Sequence, residues 1–162
     1  MRKLRLASFV IVLLTCVGCD HATKRAAGLL LASGEPVTLL GNSIRFELVS
    51  NPGAFLSLGA ALPETLRVAL FLGLVPVLLG IVLLAFALRE RATHAELLAV
   101  ALVIGGGVGN WLDRIAHGGA VTDFVSVGLG SLRTGIFNFA DVAVMAGVFL
   151  LLVSMRRSDA AR

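Results

Sequence analysis

Gly105-Gly106-Gly107-Val108-Gly109-Asn110-Trp111-Leu112-Asp113-Arg114 is the stretch on which the fold turns. It ends an apolar run that begins near Glu96, so its glycines lie inside the run and its polar side chains at the border. Gly105 and Gly109 are four apart, the small-xxx-small spacing that lets a second helix approach closely within a membrane. The glycines at 105 to 107 read as packing residues, since no phosphate-binding loop opens onto a cytosolic helix. Asn110 shares one helix face with Asp113 and Arg114. The run reads as a membrane helix with a polar end.

Three other runs have the same character. The chain has 162 residues, 57% of them hydrophobic, and a mean hydropathy of +0.95. A soluble domain of this size does not need so much apolar surface. At roughly 20 residues per span, four spans use about half the chain. They fall at about 4–32, 66–88, 96–114 and 136–155. Pro76 lies inside the second, which membrane helices tolerate. The fold class predicted is an all-α membrane protein, one domain over 1–162, with a small extracytoplasmic β element at about 36–62. The net charge of +4 does not point to nucleic acid, because the basic residues sit at the ends of apolar runs. Arg2, Lys3 and Arg5, Arg89 and Arg91, and Arg156, Arg157 and Arg162 flank the spans consistently. By the positive-inside rule both termini and the 89–94 loop are cytoplasmic.

Ser33-Gly34-Glu35-Pro36 ends the first span. Val37–Leu40 and Ser43–Val49 then read as a hairpin about a two-residue Gly41-Asn42 turn, with Ile44, Phe46 and Leu48 alternating with Arg45 and Glu47. The segment 117–130 reads as a glycine-rich loop carrying Asp123. Cys16 and Cys19 read as small buried apolar residues, since no second pair completes a metal site. A rival reading takes Cys16-Val17-Gly18-Cys19 as a poor lipoprotein cleavage box after a signal peptide; three later spans argue against it.

This topology places Asp20, Lys24, Asn51, Asn110, Asp113, Arg114, Asp123, Asn138 and Asp141 at one outer face. Ionisable groups beside apolar runs are expensive and mark function. Asp20 and Lys24 are four apart, acid first, the favourable order for a helical ion pair. His21, His94 and His117 are scattered and make no metal set, and no nucleophile motif of the G-x-S-x-G kind is present. Asp123 and Asp141 can act as a hydrolytic pair without a cofactor, because like charges drive one carboxyl to keep its proton; from spacing alone they can equally cap a loop and a helix start. A small transporter or channel component and a structural lipid-anchored membrane protein are the rival functions. The former calls for polar residues through the membrane, which spans two and four lack beyond their ends.

Five segments in order resemble the lipoprotein signal peptidases (signal peptidase II): Asp20-His21-Ala22-Thr23-Lys24, Asn51-Pro52-Gly53-Ala54, Gly105 to Arg114, Val121-Thr122-Asp123-Phe124 and Phe137-Asn138-Phe139-Ala140-Asp141. Singly each is weak; together, in family order and spacing over nearly the whole chain, they are specific. The resemblance implies an aspartic endopeptidase of the bacterial cytoplasmic (inner) membrane, without cofactor or metal. It would cut signal peptides from diacylglyceryl-modified prolipoproteins just before the lipidated cysteine, at the extracytoplasmic face. Asp123 and Asp141 match the catalytic pair, and Asn51, Gly53, Asn110, Arg114 and Asn138 match positions lining the site. Asp20, Lys24 and Asp113 are expected to support it, Asp113 through a nearby cation. Its partners would be its substrates and membrane lipids, with the chain a monomer. One departure is Phe55-Leu56 after Ala54, where the family often has Ala-Phe; this bears on how the loop meets substrate.

Overall fold

A computed structural model describes residues 2–54, 58–89, 92–130 and 132–160. Its four long helices are α1 (Arg2–Leu30), α2 (Glu64–Ala87), α3 (His94–Ala116) and α4 (Phe139–Ala160). Each is long and apolar enough to cross a membrane. Large apolar side chains such as Ile11, Leu14, Ile81 and Phe149 stand outward, where only a hydrocarbon surrounding would match them.

Helix α3 is the hub, and its glycines explain why. A Cβ at Gly105 would sit 2.8 Å from Cys16 Cβ on α1, and one at Gly107 would sit 2.7 Å from a Leu79 methyl on α2. One at Gly106 would overlap the Ala140 carbonyl oxygen on α4. Three consecutive residues thus admit three different helices to contact distance. Gly109 continues the α1 seam, since its Cβ would meet Asp20 Oδ2 at 2.9 Å.

Helix α2 is regular at both ends but π-helical over Val68–Leu74. Pro76 has no N–H to return to the Leu72 carbonyl, which an α-helix would require. The indole N–H of Trp111 donates to that carbonyl instead, at 3.1 Å. Thr93 and Glu96 cap α3 reciprocally: Thr93 Oγ1 accepts from Glu96 N, and Glu96 Oε2 accepts from Thr93 N. The third span therefore starts two residues before Glu96.

The β element is larger than the sequence suggested. Strands β1 (Val37–Leu39), β2 (Ile44–Asn51), β3 (Val121–Leu129) and β4 (Leu132–Arg133) form one antiparallel sheet in the order β1-β2-β3-β4. Two expectations are corrected. The β1–β2 connection is four residues, because Leu39 pairs with Ile44; Leu40, Gly41 and Asn42 all take positive φ, so the chain reverses more gradually than a Gly-Asn turn would allow. Asp123 sits on strand β3, not on a loop, because β2 supplies a pairing edge from a distant part of the chain. A bulge between Phe46 and Val49 shifts the β2–β3 register, setting Val49 opposite Asp123 and Asn51 opposite Val121.

Candidate active site

Three pieces of backbone geometry bring Asp123 and Asp141 to one place. The bulged register puts Asn51 and Asp123 diagonally on one sheet face, within reach of long side chains. Phe137 bridges to Val125, with Phe137 N donating to Val125 O at 2.9 Å, which draws the start of α4 against β3. Finally, Asn138 is the N-cap of α4 and not its first turn: its Oδ1 accepts from Asp141 N at 3.0 Å, while Asp141 Oδ2 accepts from Asn138 N at 3.2 Å. This is the reciprocal capping box in Asn/Asp form, and it starts the fourth helix three residues after the predicted Ile136.

The carboxylates are surrounded by amide donors. Asp123 Oδ2 accepts from Asn51 Nδ2 at 2.8 Å and its Oδ1 from Asn138 Nδ2 at 2.6 Å. Asp141 Oδ1 accepts from Asn110 Nδ2 at 3.0 Å. Each amide is locked the same way round by its other end: Asn51 Oδ1 accepts from Gly53 N, Asn138 Oδ1 from Asp141 N, and Asn110 Oδ1 from Lys24 Nζ. Rotating any of them would set donor against donor. Asn138 joins the two halves, since its Nδ2 also lies 3.0 Å from Asn110 Oδ1.

A ring of charges supports this centre. Lys24 Nζ lies 2.8 Å from Asp20 Oδ2 and 3.2 Å from Asp113 Oδ2. Asp20 Oδ1 accepts from Ala140 N at 3.0 Å, fixing the first turn of α4 to α1. Asp113 Oδ2 accepts from Thr122 N at 2.6 Å, fixing β3 to α3. Arg114 Nη2 donates to Gly53 O at 2.6 Å, and its guanidinium lies over the Phe71 ring at 5.1 Å, an attraction of cation and ring face. The expected residues Asp20, Lys24, Asn51, Gly53, Asp113, Arg114, Asp123, Asn138 and Asp141 are all buried, and Asn110 half-buried. The structure brings all ten together. Phe55 and Leu56 lie outside the described residues.

Burial pushes the Asp123 carboxyl up to about 6; the Asn51 amide pulls the other way and the Asp141 charge adds to the rise. Beside Asp141 a groove of about 450 Å³ runs down α4 past Val144, Met145, Val148, Phe149 and Leu152. Polar at its head and apolar along its length, it suits an apolar chain carrying a reactive bond at its end. Among the described residues no three His, Cys, Asp or Glu are grouped to hold a metal ion. Sequence reasoning missed Phe71, Trp111 and the backbone donors of Thr122 and Ala140. A Pro four residues after Leu72, with the chain's single Trp near the polar end of span three, was the one usable signal.

Four apolar helices around a sheet-capped, buried acid pair define a multi-pass helical membrane protein. A family model for signal peptidase (SPase) II matches residues 11–157. The lipoprotein signal peptidase of Chlorobium phaeobacteroides is 37% identical over 156 residues, covering 91% of this chain and 86% of that protein. That of Treponema pallidum is 31% identical over 146 residues, covering 86% and 78%. In fold the chain is similar to a solved bacterial membrane enzyme determined by the in meso method at 2.3 Å, with a TM-score of 0.80, 20% identity and coverage of 96% and 92%. The chain belongs to the signal peptidase II family and is a peptidase.

Proposed function

We propose that this peptidase removes signal peptides from diacylglyceryl-modified prolipoproteins, cutting before the lipidated cysteine, and that Asp123 and Asp141 do the chemistry. The observation that carries the reading is Asn138. Its side chain donates to Asp123 and accepts from Asp141 N, while its backbone N–H donates to the Asp141 carboxylate, so two buried carboxylates from separate elements are held as a unit.

The pair shares a proton, since two adjacent ionised carboxylates in a dry site repel. The ionised member takes a proton from water, whose oxygen adds to the scissile carbonyl carbon. The protonated member gives its proton to the carbonyl oxygen. As the tetrahedral intermediate collapses, the C–N bond breaks, the nitrogen takes up a proton from the pair, and one hydroxyl of the intermediate returns its proton to the pair, restoring the shared proton. Asn51 and Asn110 hold the outer oxygens of the two acids, and Arg114 holds the Gly53 loop. The supporting charges keep α1, α3 and α4 in register. The α4 groove accepts the apolar signal peptide. The chain works as a monomer in the bacterial cytoplasmic membrane, termini inside and site outside, as the flanking cations favour.

The test is cleavage of a diacylated prolipoprotein by the purified enzyme and by Asp123→Asn, Asp141→Asn and Asp113→Asn. The first two variants are expected to lose at least the roughly 10²–10⁴-fold that general acid–base work supplies, and their double variant to be little worse than either. Retained activity in Asp123→Asn together with loss in Asp113→Asn overturns the assignment.

A further inference from the structure

His117 stands at the C-terminal end of α3, on the open side of the carboxylate that ties the site's two arms together. Its Nδ1 lies 2.8 Å from Asp113 Oδ1 and 3.0 Å from the Asp113 carbonyl oxygen. Both are acceptors, so Nδ1 carries the hydrogen. The His117 side chain is 57% exposed and that of Asp113 5%, so the ring is where solvent meets this buried acid.

Asp113 reaches both arms. Through Thr122 N it fixes the residue before Asp123. Through Lys24 it bears on Asn110 Oδ1 at 2.9 Å, and Asn110 in turn donates to Asp141. We propose that His117 is a positioning residue for the aspartate pair, acting through Asp113. The inference rests on Asp123 and Asp141 being the catalytic pair.

Towards this end of the packed elements the charged and titratable groups are Asp113 and Arg114 on α3, Asp20, His21, Lys24 and Arg25 on α1, and Asp123 on β3. Glu64 and Arg67 on α2 line a cleft with Gly118 and Gly119. Among the described residues, Asp113 is the one within ion-pair distance of the His117 ring. A charged ring takes a share of Asp113 and leaves Lys24 to Asp20 and Asn110; a neutral ring contributes its hydrogen bond alone. Positive charge here also opposes protonation of Asp123, so losing it moves the acidic limb of activity to higher pH.

The experiment measures kcat and KM for a diacylated prolipoprotein from about pH 5.5 to 8.5 with the full-length enzyme, His117→Ala, His117→Asn and Asp123→Asn. Asn sets an amide donor where Nδ1 stands but cannot become charged. At about pH 8, His117→Ala is expected to lower kcat about two- to fivefold with KM little changed, and His117→Asn to restore it. At about pH 5.5 both variants are expected to fall a further two- to fivefold, roughly the weight of one half-exposed ion pair. Wild-type kcat in His117→Ala across the range overturns the inference, as does a pH-independent loss that Asn fails to restore. Activity kept by Asp123→Asn would instead strike the reading of the pair itself.

Discussion

Replacing Gly106 by Ala tests how closely the site depends on helix contact. The added Cβ would overlap the Ala140 carbonyl oxygen and lie 2.9 Å from a Val144 methyl and 3.3 Å from the Ala140 carbonyl carbon. The carbonyl belongs to the backbone, so no side-chain rotation relieves it and α4 must retreat. Ordinary carbon–oxygen contacts lie at about 3.3–3.6 Å, which asks for a displacement of about 1 Å. Asp141 is one residue beyond Ala140. A shift of that size stretches the Asn110–Asp141 bond from 3.0 Å beyond hydrogen-bonding range, and does the same to the Asp20–Ala140 bond. Overpacking costs about 1–3 kcal/mol, and a 1 Å misplacement of reacting groups about 10²-fold in rate. A methyl added at Gly28 or Gly80 would meet nothing within 4 Å, so alanine there is neutral or stabilising by about 0.5–1 kcal/mol. Melting temperature in detergent and prolipoprotein cleavage are measured for all three variants. Should Gly106→Ala match the Gly28→Ala and Gly80→Ala controls in both, the account of α3 as hub fails.

Activity is expected to fall as pH drops below about 6, where Asp123 becomes protonated; a profile flat to pH 4 contradicts this. Because the folded group binds its proton more tightly than the unfolded one, its contribution to stability is full below the ordinary aspartate value of 3.8 and is lost as pH rises through about 6. Asp123→Asn should therefore flatten the stability profile over that window. Lys24→Ala removes the buried cation between Asp20 and Asp113, leaving Asp113 with the His117 ring alone within ion-pair distance among the described residues, and should cost about 3–5 kcal/mol, lowering activity without moving the cleavage position. Abolished turnover with unchanged melting would instead put Lys24 in the chemistry. Cys16→Ala/Cys19→Ala keeps the Cβ that meets Gly105 and should cleave nearly as wild type, and activity should survive a strong chelator; loss under chelation contradicts the pair mechanism.

The helices were legible because span length and apolar composition are local properties. So was the Asp20–Lys24 pair, whose spacing fixes its geometry. Strand β3 was not, since Gly128 within it and Gly118, Gly119 and Gly130 around it look like loop residues until β2, from far earlier in the chain, offers a ladder. The site residues could be named, but not how they meet. The predicted span at about 136–155 put Asn138 inside the fourth helix, whereas as N-cap it turns its amide towards Asp123. That orientation depends on the Val125–Phe137 bridge, which no spacing in the sequence announces. The partner of Leu72 O was hidden for the same reason: Pro76 advertises a lost bond, but only the packing of α3 on α2 shows that Trp111 replaces it.

The locked asparagines also bear on how the protein ages. Asparagine deamidates when the next residue's backbone nitrogen attacks the side-chain carbonyl carbon. Asn51 precedes Pro52, which has no N–H to offer. The nitrogen following Asn110 lies inside α3, and Asn138 precedes the bulky Phe139 with its carbonyl held by Asp141 N. Conversion of any one to aspartate would trade an amide donor for a third carboxylate against the pair. Asn42, at positive φ in the β1–β2 connection and followed by Ser43, has none of these protections. Chemical wear in a long-lived molecule should therefore register first at that outer turn, well before it reaches the residues that hold the acids.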